Sequence, residues 1–183
     1  MHINNQNMAF FKDRLKMVKA LLFDVDGVLS SDMSPLDENG DPMRTSNVKD
    51  GFAIREALKN GIIVGVITGG PQKRVKTRHL KLGVQHYYDQ VADKLEALDD
   101  FTTKTGIDDS SILYMGDDLA DYQVMKRVGI STCPSDAVPE IKAISMYISD
   151  RRGGEGCVRD VIEQVLRAQE KWFVNGSTGH QSF

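Results

Sequence analysis

Short, unbroken apolar runs recur at residues 20–25, 62–67, 112–115, 129–133 and 146–149, and the stretches between them carry helical spacing instead. A run without apolar–polar alternation is how a strand buried on both faces reads. Helical patterns fall at about 50–60, 71–82, 93–105, 118–128, 136–144 and 157–171, the last with Val158, Val161, Ile162, Val165 and Leu166 on one side. Such alternation predicts an α/β fold, a Rossmann-like parallel sheet with helices on both faces. A chain of 183 residues suits one domain over residues 1–183, with an ordered core at about 12–173 and loosely held polar ends. Residues 28–48 interrupt the pattern. Their turn signals (Asp32, Ser34-Pro35, Asn39-Gly40, Asp41-Pro42) predict a small protruding β-hairpin.

The chemistry-bearing residues gather where apolar runs end. Lys19-Ala-Leu-Leu-Phe leads directly into Asp24-Val-Asp26-Gly27, at the strand rim where open α/β sheets bind ligands. Two carboxylates so close repel unless a cation offsets them. One could attack phosphorus while the other handles a proton. Thr68-Gly69-Gly70-Pro71 follows the second run, and a Pro-started helix there would offer free amides to a phosphate, with the Thr68 hydroxyl added. Lys94 opens a helical pattern, where its charge opposes the helix dipole; a charge aimed at a phosphate would explain that cost. Gly116-Asp117-Asp118 ends a further run and supplies hard oxygen ligands suited to Mg²⁺, although Asp118 could instead cap the next helix and Asp121 favour its first turn. Each signal alone has a plain structural reading. Four in this order, each at a strand exit or helix entry, point to Mg²⁺-dependent phosphoryl transfer.

A net charge of −3 recommends neither nucleic acid nor an anionic membrane as partner. The two cysteines, Cys133 and Cys157, have no metal-ligand spacing and fit a reducing cytoplasm. No apolar run reaches the length of a membrane span, and the polar start lacks a signal peptide's apolar core, so the expected location is cytoplasmic.

The four segments resemble the haloacid dehalogenase superfamily of phosphatases. Asn47-Val-Lys-Asp50-Gly51, Ile54-Arg55 and Arg152-Gly-Gly-Glu-Gly-Cys-Val-Arg159-Asp160 resemble the subfamily of 3-deoxy-D-manno-octulosonate 8-phosphate phosphatases. The resemblance implies Asp24 as nucleophile and Asp26 as general acid and base. It implies Mg²⁺ held by Asp24, the Asp26 carbonyl and Asp117, and phosphate held by Thr68, Gly69 and Lys94. Substrate contacts are implied at Asp26, Asn47, Asp50, Gly51, Arg55 and Arg78. The expected activity is hydrolysis of the eight-carbon sugar acid phosphate in lipopolysaccharide precursor synthesis.

Gly70 departs from this pattern, because family members often carry Arg there and a similar phosphatase of a nine-carbon keto-deoxy sugar acid 9-phosphate carries Glu. That substrate is therefore the alternative, with a catalytically inert oligomerisation module as a third reading. Larger relatives close a cap domain over the site. Only about 35 residues separate Gly27 from the second strand here, too few for a cap domain. The resemblance implies a homotetramer whose hairpins and tails complete each site.

Overall fold

The computed structural model of the chain describes residues 11–71 and 73–173. The loose ends expected at residues 1–10 and after Phe173 lie outside the described residues. The sheet consists of β1 (Ala20–Phe23), β2 (Ile63–Ile67), β3 (His86–Tyr88), β4 (Ile112–Met115), β5 (Ile130–Cys133) and β6 (Tyr147–Ile148). Their order is β3-β2-β1-β4-β5-β6, and every neighbouring pair is parallel. The helices are α1 (Val48–Lys59), α2 (Lys73–Leu82), α3 (Lys94–Thr105), α4 (Tyr122–Arg127), α5 (Pro139–Ile144) and α6 (Cys157–Ala168).

Every residue of β1, β4 and β5 is buried, which is why their runs do not alternate. Successive side chains of β1 enter opposite layers. Leu21 and Phe23 pack with Ala53 and Ile54 of α1 and with the apolar side of α6. Ala20 and Leu22 pack with Leu98 and Phe101 of α3, Val124 of α4 and Ile141 of α5. Because β2 lies on one side of β1 and β4 on the other, successive connections diverge beyond the carboxyl end of β1. That divergence leaves a crevice.

Two elements differ from expectation. β3 carries no apolar run; His86, Tyr87 and Tyr88 are half-buried at the sheet edge, and their pairing with β2 makes them a strand. The pattern at 118–128 divides into a single 3₁₀ turn, Leu119–Asp121, followed by α4. Asp118 caps that turn through Leu119, and the Asp121 side chain reaches back to the Asp118 amide, so the backbone tightens before it becomes α-helical.

The protruding hairpin at 28–48 takes a reduced form. Its antiparallel pairing is one bridge, Leu36 to Pro42, closed by Asp37 N–H to the Asp41 carbonyl. The loop before α6 returns to the turn after β1. Gly154 N–H donates to the Val28 carbonyl at 2.8 Å, and a Cβ on Gly153 would lie 2.0 Å from the Gly27 carbonyl oxygen. Two backbones thus meet with no side chain between them.

Candidate active site

β1 delivers Asp24 to the crevice, and the Asp24 N–H continues the ladder to the Met115 carbonyl at 3.1 Å. The Asp24 side chain is fixed twice. Its Oδ1 accepts from Val25 N–H at 2.7 Å, and its Oδ2 lies 2.9 Å from Lys94 Nζ. Lys94 is the first residue of α3, which Asp93 caps by accepting from Leu95 N–H. Its ammonium also meets Asp121 Oδ1 at 2.6 Å.

Asp121 is wholly buried and fully committed. Its Oδ1 also accepts from Tyr114 Oη–H at 2.6 Å, and its Oδ2 accepts from Asp117 N–H at 3.1 Å. One carboxylate therefore aims the lysine and shapes the turn that carries Asp117. From the sequence alone Asp121 has only a helix-dipole role, and its place four residues after Asp117 is the signal for this second one.

The electrostatics leave negative charge in surplus. Burial, then the Asp121 carboxylate, pushes Asp24 up to about 7 despite the Lys94 ammonium. Burial, then Asp121 and Asp24, pushes Asp117 up to about 8. Burial alone would lower Lys94, but Asp24 and Asp121 together hold it above its ordinary value. Three carboxylates thus share one ammonium.

Ligand atoms of Asp24, Asp117 and Asp121 lie within 4.8 Å of one another, a spacing a single cation can span. Asp24 and Asp117 line the open cavity and Asp121 does not, so Asp24 and Asp117 are the acids that face an entering ion. Gly27 makes room: its φ is +76°, and a Cβ there would lie 1.9 Å from Asp117 Oδ2. Hard carboxylate oxygens, an uncompensated charge and a glycine cradle fit a divalent cation such as Mg²⁺.

Thr68 directly follows β2 and is buried; its N–H donates to the Tyr88 carbonyl at 2.9 Å and its carbonyl accepts from Val91 N–H at 3.2 Å. The edge strand β3 thereby holds the threonine in place. The helix expected from Pro71 begins at Lys73. An open cavity of about 420 Å³ brings together Asp24, Asp26, Thr68, Gly69, Lys94 and Asp117, with Gly70 beside them.

Asn47, Asp50, Gly51, Arg55 and Arg78 do not line that cavity. Asn47 caps α1, accepting from Lys49 N–H at 2.9 Å, and donates to the Gly154 carbonyl at 3.0 Å. Asp50 is buried, accepts from Arg159 N–H at 2.8 Å, and is pushed up to about 6 by burial against the pull of that amide. Gly51 is buried beside Arg78, while Arg55 and Arg78 are exposed. Arg44 was not foreseen. It comes back from the hairpin loop onto Asp26, donating from Nε to Oδ1 at 2.7 Å and from Nη2 to Oδ2 at 2.9 Å. Nothing in the local pattern around Arg44 marks it.

Residues 86–160 match the family described as haloacid dehalogenase-like hydrolase. The chain is 40% identical over 154 residues to the 3-deoxy-D-manno-octulosonate 8-phosphate phosphatase of Escherichia coli K12, covering 84% of this chain and 82% of the relative. The phosphatase of Yersinia pestis is 35% identical over 166 residues, 91% of this chain and 88% of the relative. Among solved structures, the Moraxella catarrhalis phosphatase in complex with magnesium, phosphate and the sugar acid superposes with a TM-score of 0.85 at 34% identity, covering 89% of this chain and 94% of that one. The cobalt-bound Haemophilus influenzae phosphatase gives 0.85 at 27% identity, over 91% and 98% of the two chains.

Proposed function

The chain belongs to the haloacid dehalogenase-like hydrolases, in the branch of the 3-deoxy-D-manno-octulosonate 8-phosphate phosphatases, and from that premise we propose that it hydrolyses this eight-carbon sugar acid phosphate. The observation that carries the reading is Lys94 set between Asp24 and Asp121 at the strand rim, with Asp117 alongside. Asp24 attacks phosphorus, and the bond to the leaving sugar oxygen breaks as Asp26 gives that oxygen its proton. Asp26 then takes a proton from water, whose oxygen forms the new bond to phosphorus and releases Asp24. Lys94, Thr68 and the amides around Gly69 oppose the charge on the phosphoryl oxygens throughout. Mg²⁺ would be held by Asp24 and Asp117, with the Asp26 carbonyl, and would supply the positive charge that the three carboxylates lack.

The reaction serves lipopolysaccharide precursor synthesis. No helix among the described residues is long and apolar enough to cross a membrane. A cytoplasmic homotetramer belongs to this proposal. It is supported by the open cavity and by exposed Arg55 and Arg78, which lie off their own cavity and are available to a neighbouring copy. The test is phosphate release, with Mg²⁺, from the eight-carbon 8-phosphate and the nine-carbon 9-phosphate. Preference for the eight-carbon ester is expected. Preference for the nine-carbon ester moves the substrate to the neighbouring branch, and release from neither removes the enzymatic reading.

Metal binding carries a pH signature. Asp24 and Asp117 titrate above the ordinary carboxylate value of 3.8 in the fold, so their contribution to stability is full below about 4. It is lost as pH rises through about 7 and 8. A cation that binds only the ionised pair restores it. The rise in melting temperature on adding Mg²⁺ to chelator-treated protein is therefore expected to grow from pH 6 to pH 8.5, and to shrink in Asp117→Asn. A rise that is flat across this range counts against these two ligands.

A further inference from the structure

Arg44 engages the acid that the reaction needs. Its planar fork covers both Asp26 oxygens, and its third nitrogen lies 3.4 Å from the carbonyls of Pro42 and Pro71. The same side chain therefore ties the hairpin loop to the segment after Thr68. Thr45 N–H, next along, donates to Ser30 Oγ at 3.0 Å and anchors the loop at its base. The Arg44 side chain is 11% exposed and that of Asp26 is 46% exposed, so the cation is packed and the acid is open to the crevice.

An acid that protonates a leaving oxygen must have that oxygen within hydrogen-bond reach. Here both carboxylate oxygens face a guanidinium. A competing anion is the natural means of drawing the guanidinium away, because the fork fits any carboxylate equally well. The substrate brings two anionic groups. Its phosphoryl group goes to Asp24, Lys94 and Thr68, which leaves its carboxylate. Arg44 also lines a second groove, shared with the cationic side chains of Lys73 and Arg74. Asp37 and Asp41 line that groove too; Asp37 Oδ1 is occupied by the Asn39 and Asp41 amides.

We infer that Arg44 is a substrate-operated latch: it holds Asp26 until the sugar acid's carboxylate draws the guanidinium toward Lys73 and Arg74, and Asp26 is then released to serve the leaving oxygen. This rests on the function proposed above. It makes Arg44 a positioning residue for Asp26 and the binding residue for the carboxylate. Selectivity for the acid then resides in turnover as well as in affinity, since a neutral sugar phosphate fills the phosphoryl site and leaves the latch closed.

The test is steady-state kinetics of the unaltered protein, Arg44→Ala and Arg44→Lys on three esters. These are the eight-carbon sugar acid 8-phosphate, a neutral hexose 6-phosphate and p-nitrophenyl phosphate. The aryl ester's leaving group departs unprotonated, so its first-turnover burst of p-nitrophenolate, which precedes the step in which Asp26 activates water, counts competent sites in each variant. Relative to that count, Arg44→Ala is expected to raise kcat on the hexose phosphate about tenfold and to lower kcat/KM on the sugar acid about 100-fold. Arg44→Lys should fall between, because an ammonium cannot engage both oxygens. Equal losses on the two sugar esters, or no change on either, overturn the latch. If the unaltered protein cleaves the aryl ester but not the sugar acid, the proposed function itself falls, and that is visible before any variant is assayed.

Discussion

Asp24→Asn is expected to lower Mg²⁺-dependent phosphate release by roughly 10⁴-fold or more, the scale on which loss of a nucleophile acts. The amide cannot form the bond to phosphorus. With its oxygen accepting from Val25 N–H, its nitrogen faces the Lys94 ammonium, donor against donor, while Lys94 keeps Asp121. Above pH 7 that cost is offset, because burial and Asp121 push Asp24 up to about 7 and the substitution removes the unfavourable ionisation. The combined signature is a dead enzyme that melts no lower than the unaltered protein at pH 8 without metal. Activity within tenfold of the unaltered protein would transfer the nucleophile's role elsewhere.

The second large effect falls on stability. Asp121→Ala leaves the Tyr114 hydroxyl, the Asp117 amide and one side of the Lys94 ammonium without their acceptor in a wholly buried place. Breaking such a pair from one side costs about 3–5 kcal/mol, and the low end applies here because Asp24 still reaches Lys94 at 2.9 Å. Asp121→Asn should cost less, since its oxygen can face Lys94 and Tyr114. Its amide nitrogen, however, would meet the backbone N–H of Asp117, donor against donor. Both variants should also lose turnover through a misaimed lysine. Denaturant unfolding reads the order unaltered, Asn, Ala; a cost under about 1 kcal/mol for Asp121→Ala would show that the network is not a unit.

Buried strands were legible because a strand covered on both faces must be apolar throughout, as β1, β4 and β5 are. β3 was not legible, since an edge strand of His86, Tyr87 and Tyr88 needs only its pairing with β2. The gathering of Asp24, Lys94 and Asp117 around one cavity was legible because each stands where a strand or helix boundary forces it to the rim. Lys94 shows why: a lysine in a helix's first turn opposes the dipole, and its two carboxylate partners supply the compensation. Contacts made across long stretches of chain were illegible. Arg44 meets Asp26 from 18 residues away, and Asp121 reaches Lys94 across 27. Neither distance has a local period to betray it.

The meeting of Gly27 with Gly153 bears on ion size. One side of the turn is closed by the Asp117 carboxylate and the other by the backbone before α6, so the turn has no slack with which to dilate. A site that cannot widen favours a small ion over a large one that needs longer bonds and more ligands. Ca²⁺ is accordingly expected to compete with Mg²⁺ without supporting phosphate release, and Ca²⁺-driven turnover near the Mg²⁺ rate would mean that the turn yields. Discrimination between ions would then originate in a joint between two glycines, neither of which offers the metal a side chain.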